Sequence, residues 1–97
     1  MIRHAVTFRW TEDATEEQKK QVAAEVARLP SLVPSLRALR FGPDLGINEG
    51  NFDFAVVADF DDVAGYVTYR DHPEHRAIID RVIRPIVAQR AGVQFEF

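Results

Sequence analysis

The fold of this chain is decided by residues 52–60, whose sequence is FDFAVVADF. Apolar residues recur there at every second position, which predicts a β-strand. One face of that strand carries five apolar side chains: Phe52, Phe54, Val56, Ala58 and Phe60. The opposite face is half apolar, because Ala55 and Val57 lie between Asp53 and Asp59. A strand with two apolar faces is typical of a sheet covered on both sides, so we expect a second layer opposite the helices.

Three further strands are predicted on either side of this stretch. Residues 2–11 alternate with the same period, and one of their faces carries Ile2, His4, Val6, Phe8 and Trp10. Residues 36–41 read as a second strand that Gly42 and Pro43 close. At the carboxyl end, Val93, Phe95 and Phe97 alternate with Gln94 and Glu96. We expect residues 44–51 to form a loop.

The first helix is predicted from its capping residues. Thr15 and Gln18 have the spacing of a capping box, in which each side chain bonds to the other's backbone N–H. The helix should therefore begin after Thr15. Pro30 cannot continue it, so we expect it to end near Leu29, before a proline-bracketed turn over residues 29–34.

Two more helices are predicted between the third and fourth strands. Asp61 or Asp62 can cap the first of them, which should run through Arg70. The second should begin at His72-Pro73, because proline is well tolerated at the first helical position.

The last helix carries a single buried stripe at helical spacing: His75, Ile78, Ile79, Val82, Ile83 and Ile86. This spacing puts His75 at the amino-terminal end of the buried face. We expect Pro85 to kink the helix and Gly92 to end it.

The resulting order of elements is βαββααβ, which predicts an α+β, ferredoxin-like fold with a four-stranded antiparallel sheet. We expect a single domain over residues 1–97. A two-fold dimer would cover the second apolar face by packing two sheets into a dimeric α+β barrel. The shared interior would hold Ala5, Thr7, Ala55 and Val57. Rim positions, or pairs across the interior, would be taken by Arg3, Arg9 and Asp59.

Composition excludes several kinds of partner and chemistry. The chain has 97 residues and a net charge of −3, from 12 basic and 15 acidic residues. It has no basic stripe to neutralise phosphates, so we expect neither nucleic acid nor membrane as a partner. The absence of cysteine excludes disulfides and thiolate chemistry. No apolar run approaches the roughly 20 residues that span a bilayer, and we expect a complete, unprocessed cytoplasmic protein.

Three segments carry a resemblance to a known family. They are residues 2–8 (IRHAVTF), residues 53–60 (DFAVVADF) and residues 69–75 (YRDHPEH), the last with a His-Pro-x-His pattern. Over essentially its whole length, the chain resembles the stress-responsive A/B barrel family, also called the Dabb domain. The resemblance implies a homodimeric α+β barrel. The family is named for stress-induced expression of some members, and most members have no assigned reaction.

One plant branch of that family consists of polyketide cyclases, which close a linear poly-β-keto chain by an intramolecular aldol step. Their site residues match His75, Tyr69 and His4, so the resemblance implies that these three residues form a catalytic site. This chain departs from the pattern of that branch at Arg40, where the branch favours an aromatic residue on the second strand. The apolar residues that we predict to bind a substrate are Val6, Phe8, Phe54, Val56 and Ile79.

The same three residues suit acid–base chemistry. The positive end of the last helix should keep His75 neutral. The ring could then accept a proton from a substrate carbon that lies between two carbonyl groups. Tyr69 could donate a hydrogen bond to the enolate, and His4 could orient the substrate. This reaction needs no cofactor. The segment around Glu74 spaces two histidines by three but supplies no third ligand, so we expect no metal.

Each histidine also has a structural interpretation. His75 could bond to backbone at the end of its stripe, His4 could bond to Tyr69 or a backbone carbonyl, and His72 could cap the last helix. Two functions therefore remain open. One is a homodimer that binds a small apolar or phenolic ligand and catalyses cofactor-independent acid–base chemistry. The other is a non-catalytic stress-responsive homodimer with no open ligand pocket.

Overall fold

The computed structural model describes all 97 residues of the chain. Its elements are β1 (Ile2–Trp10), α1 (Glu16–Val26), α2 (Leu29–Leu32), β2 (Ala38–Pro43), β3 (Phe54–Phe60), α3 (Val63–Asp71), α4 (Pro73–Ile78), a π-helical segment (Ile79–Ile83) that continues α4, and β4 (Val87–Glu96). The strands form one antiparallel sheet in the order β2-β3-β1-β4. The predicted ferredoxin-like α+β fold is confirmed. No helix is both long and apolar enough to cross a membrane.

The two central strands build the core from their alternating residues. In β1 the even-numbered residues face the helices, and none of them is more than 9% exposed. β3 adds its own apolar face directly beside β1, with Phe8 opposite Phe54 and Ile2 opposite Phe60. Helix residues such as Val22 and Ile78 complete this core. The period of two in the sequence therefore marks the helix-covered face correctly.

α1 begins as predicted and ends earlier than predicted. Thr15 and Gln18 form both bonds of the capping box. The helix ends at Val26 instead of near Leu29, and residues 29–34 are not a simple turn, because Leu29–Leu32 form α2. Pro30 lies in the first turn of α2, where its missing N–H would have no intrahelical partner in any case. The proline therefore starts a short helix here.

The carboxyl-terminal boundary was predicted wrongly. Helical structure ends before Val87, and Gly92 lies inside β4, opposite Val6. Pro85 has no N–H for a helical hydrogen bond. Residues 87–96 instead form β4, which pairs with β1. This long pairing satisfies backbone groups that would otherwise lie at an open edge of β1.

β2 and β3 are each displaced from their predicted ranges. β2 begins at Ala38 instead of residue 36, because Leu36 is buried and its N–H bonds to the carbonyl of Val33 in a turn. β3 begins at Phe54 instead of residue 52. Asp53 holds this start in place: its N–H donates to the carbonyl of Phe8, and its carboxylate accepts from the N–H of Trp10 at 2.8 Å.

The second face of the sheet is open in the single chain. Paired residues of neighbouring strands share a face, so Val93 lies beside Ala5, and Phe95 beside Arg3. Val93 and Phe95 are 57% and 45% exposed. Arg3 donates two bonds to Asp59 at 2.8 and 2.9 Å, and this pairing holds the pKa of Asp59 below its ordinary value. The four residues predicted for a shared interior are half-buried in one chain: Ala5, Thr7, Ala55 and Val57.

Candidate functional site

An apolar cavity of about 410 Å³ lies between the helix-covered face of the sheet and the helices. Its apolar wall includes Val6, Phe8, Val56, Ile78, Ile79 and Ile83. Its polar wall consists of two histidines, two tyrosines and four arginines. The volume lies within the range of small-molecule pockets. The hypothesis of a homodimer with no open ligand pocket required an interior filled by side chains. This chain instead has a cavity large enough for a small ligand.

His75 enters the cavity wall from the first turn of α4. Its Nδ1 lies 3.1 Å from the carbonyl oxygen of Arg70. A carbonyl only accepts, so Nδ1 carries the ring proton and Nε2 of the neutral ring is left as an acceptor. Burial lowers the pKa of His75 from its ordinary value of 6.5. The ring is therefore neutral at pH 7 and has the form of a general base.

His4 enters the same cavity from the centre of β1 and has the complementary form. The side-chain amide nitrogen of Gln94, its partner on β4, lies 2.8 Å from Nδ1 of His4. Nδ1 accepts this bond, so Nε2 of the neutral ring carries the proton. Burial lowers the pKa of His4 to about 4, with further lowering by the positive charge of Arg90 and by His75. His4 is thus a neutral hydrogen-bond donor at pH 7.

Tyr69 connects the two histidines. Its ring centroid lies 4.1 Å from that of His75 and 6.2 Å from that of His4. α3 holds it there: Asp62 caps that helix by accepting from the N–H of Gly65, and the ring of Phe60 packs 5.0 Å away. Burial raises the pKa of Tyr69 above its ordinary value. Its hydroxyl therefore stays protonated and can donate a hydrogen bond.

The His-Pro-Glu-His segment has a helix-capping geometry. His72 is the cap of α4, and its Nδ1 accepts from the N–H of Glu74 at 3.1 Å. Nδ1 of His75 is already bound to Arg70. No three side chains of the kinds that bind metals come together anywhere in the chain.

All but one of the residues predicted for the site line this single cavity. His4, Tyr69 and His75 do so, together with Val6, Phe8, Val56 and Ile79. Phe54 does not. It is buried farther along the sheet, where its ring lies 5.9 Å from Trp10 and 6.3 Å from Phe41.

Sequence reasoning missed five polar residues of the cavity wall: Tyr66, Arg70, Arg76, Arg84 and Arg90. Tyr66 precedes Tyr69 by three positions and so shares its helix face, a signal that was available, and its ring lies 5.1 Å from that of His4. Arg90 could not be placed, because residues 87–91 were assigned to a helix. In β4 it lies opposite Phe8, on the cavity side of the sheet.

Comparison with solved structures supports the fold, and the similar structures include one of substantial sequence identity. A dimeric ferredoxin-like protein of unknown function from Thermobifida fusca is 46% identical, with a TM-score of 0.91; the match covers 99% of this chain and 90% of that chain. A dimeric protein of unknown function from Bacteroides fragilis is 26% identical, with a TM-score of 0.84, and 99% and 95% of the two chains are covered.

A hydroxynitrile lyase from Passiflora edulis has the same fold, with a TM-score of 0.84 and 20% identity over 97% of this chain and 90% of that chain. No curated protein matches this sequence. The family model described as "Stress responsive A/B Barrel Domain" matches residues 2–97. With the match spanning nearly every residue of the fold described above, the chain belongs to the stress responsive A/B barrel domain family.

Proposed function

We propose that this chain is a homodimeric small-molecule-binding protein whose cavity carries out cofactor-independent acid–base chemistry of the intramolecular aldol type. The observation that supports this function is that one apolar cavity contains two neutral histidines of opposite tautomer, one with a free acceptor nitrogen and one with a donor N–H. His75 offers a free ring acceptor, and His4 offers a ring donor. Tyr69 lies between them with a protonated hydroxyl. A general base and two donors are the groups that enolate chemistry needs.

The chemistry follows from those forms. Nε2 of His75 removes a proton from a carbon between two carbonyls, and the electron pair of that C–H bond becomes an enolate. The enolate carbon attacks a second carbonyl of the same molecule, so one C–C bond forms and the electron pair of that C=O moves to its oxygen. Tyr69 and His4 donate hydrogen bonds to the oxygens that gain charge. The imidazolium of His75 returns its proton to the new alkoxide, and no other reactant is consumed.

The substrate class follows from the wall of the cavity. Aliphatic and aromatic side chains supply most of the lining, and polar groups are confined to a few points. Such a wall favours a largely apolar molecule with a few carbonyl or hydroxyl oxygens. We therefore propose a poly-β-keto or phenolic ligand.

The first test is a binding screen by protein NMR, with heptane-3,5-dione as a β-diketone probe and 4-propylphenol as a phenolic probe. We expect saturable shifts centred on His4, Tyr69 and His75. Tyr69→Phe and His75→Ala should weaken binding by about 2- to 10-fold, the effect of one lost hydrogen bond. His72→Asn is the matched control, because it changes a histidine outside the cavity and keeps a capping side chain. If neither probe shifts any cavity resonance, the non-catalytic homodimer becomes the better interpretation.

The homodimer is a separate proposal, supported by the open apolar face of the sheet and by dimeric relatives. Light scattering at micromolar concentration should give twice the 11.0 kDa mass of one chain. Val93→Asp places a charge on that face and should raise the dissociation constant by more than about 10-fold, because the charge would be buried without a partner. Val63→Asp, on an exposed position of α3, should leave the mass unchanged. A monomeric mass for the unaltered chain would refute the proposal.

A further inference from the structure

The charged groups that line the cavity all have one sign. Four arginines line it, at positions 70, 76, 84 and 90, and no aspartate or glutamate does. The chain as a whole carries a net charge of −3. The positive charge at the cavity is therefore a local property and not a reflection of overall composition.

Two of these arginines are neutralised within the chain. Arg70 donates to Asp71 at 2.9 and 3.0 Å, and Arg84 lies 2.7 Å from Asp80. Arg76 and Arg90 take part in none of the ion pairs of the chain. Two cationic side chains at the cavity are thus available to an anion.

Arg90 lines the cavity from β4, near a glycine that leaves room for its side chain. It lies opposite Phe8, a residue of the cavity wall, and two positions before Gly92. A Cβ atom on residue 92 would lie 3.2 Å from both terminal nitrogens of the Arg90 guanidinium. Glycine at this position therefore leaves room for the guanidinium to lie along the strand. Its charge also acts on His4, whose protonation it disfavours.

We infer that the ligand of this cavity is an apolar carboxylate, with its apolar body against the aliphatic wall and its carboxylate bound by Arg90, with Arg76 as a second cation. This inference rests on the proposed ligand-binding function and adds a carboxylate group to the poly-β-keto or phenolic ligand proposed there. The planar guanidinium of arginine matches a carboxylate with two parallel N–H donors. An apolar carboxylate bound in this way gains both from burial of its body and from pairing of its charge.

The test compares octanoate with octan-1-ol, a neutral molecule of the same chain length, by NMR titration at low ionic strength. Arg90→Gln should weaken octanoate binding by about 10- to 100-fold, the effect of losing a charge-assisted hydrogen-bonded pair. It should change octan-1-ol binding by about twofold or less, because the apolar wall is untouched. Arg84→Gln is the matched control: it removes an arginine of the same cavity whose charge Asp80 already neutralises, so its effect on octanoate should be small.

The outcomes separate this inference from the function on which it rests. If octan-1-ol binds in the cavity and octanoate binds no more weakly to Arg90→Gln than to the unaltered chain, the carboxylate assignment is wrong and the ligand pocket stands. If neither molecule binds but heptane-3,5-dione or 4-propylphenol does, the carboxylate assignment is wrong and the ligand pocket stands; if none of the four binds, both proposals fail. Arg90→Lys keeps the charge without the planar fork and should restore part of the octanoate affinity; the same loss with lysine as with glutamine would contradict a role for charge.

Discussion

Replacement of His75 by glutamine should lower the turnover number for a substrate found by the binding screen by about 100- to 10,000-fold, the contribution of a positioned general base. Glutamine can still bond to the carbonyl of Arg70, but it has no group that takes a proton near neutral pH. The substrate should still bind, so the Michaelis constant should change far less than the turnover number. If the His75→Gln variant binds the substrate but does not convert it, the defect lies in the chemical step.

The pH dependence gives an independent check on His75. The base must be neutral to act, and burial lowers its pKa below 6.5. The rate should therefore fall on acidification, with the midpoint of the decline below pH 6.5. His72→Asn should keep the rate of the unaltered chain, because His72 caps α4 and does not line the cavity. An unchanged rate in His75→Gln with an intact fold would eliminate His75 as the base.

Acidification should destabilise the fold through His4. In the unfolded chain this imidazole takes up a proton near its ordinary pKa of 6.5, whereas in the folded chain burial lowers the pKa to about 4. Protons therefore bind preferentially to the unfolded state, and the stability present above pH 6.5 is lost as the pH falls toward 4. The free energy of unfolding should decrease by about 2 to 3 kcal/mol between about pH 7.5 and about pH 4.5 from His4 alone.

Urea denaturation at the two pH values measures this effect. His4→Gln should remove most of the difference, and the double variant His4→Gln/His75→Gln should remove more, because burial lowers the pKa of both histidines. The paired aspartates contribute little in this range, and Glu25, whose pKa lies below its ordinary value of 4.5, contributes equally in His4→Gln and in the unaltered chain. Arg3, for example, holds the pKa of Asp59 below its ordinary value of 3.8, so its stabilising effect is lost only at lower pH. Equal pH dependence in His4→Gln and the unaltered chain would show that His4 is not the source.

Local signals predicted the fold because they act within a few residues. The period of two in β1 and β3, the Thr15–Gln18 capping box and the Asp62 cap all describe contacts that the backbone makes with itself nearby. Boundaries failed where a distant partner competes. Residues 87–92 are suited to a helix locally, and their ladder with β1, about eighty residues earlier in the chain, overrides that preference.

The placement of the predicted site residues also depends on distant partners. His4, Tyr69 and His75 came from their match to a family pattern, and they lie together because β1, α3 and α4 meet at the cavity. Phe54 has the same periodicity as Val56 and yet lies outside the cavity, against Trp10. Periodicity identifies the face on which a residue lies and contains no information on its position along the packed layer.

The sequence by itself determined the starts of α1, α3 and α4, the helix-covered faces of β1 and β3 and the α+β class, because these depend on period, capping and proline chemistry within short windows. Only the tertiary structure decided the ring proton positions of His4 and His75, through their bonds to Gln94 and Arg70. It also brought Arg90 to the cavity across the β1–β4 pairing. Hydrogen-bond partners and unpaired charges depend on which distant segments meet, and that is a property of the packed chain as a whole.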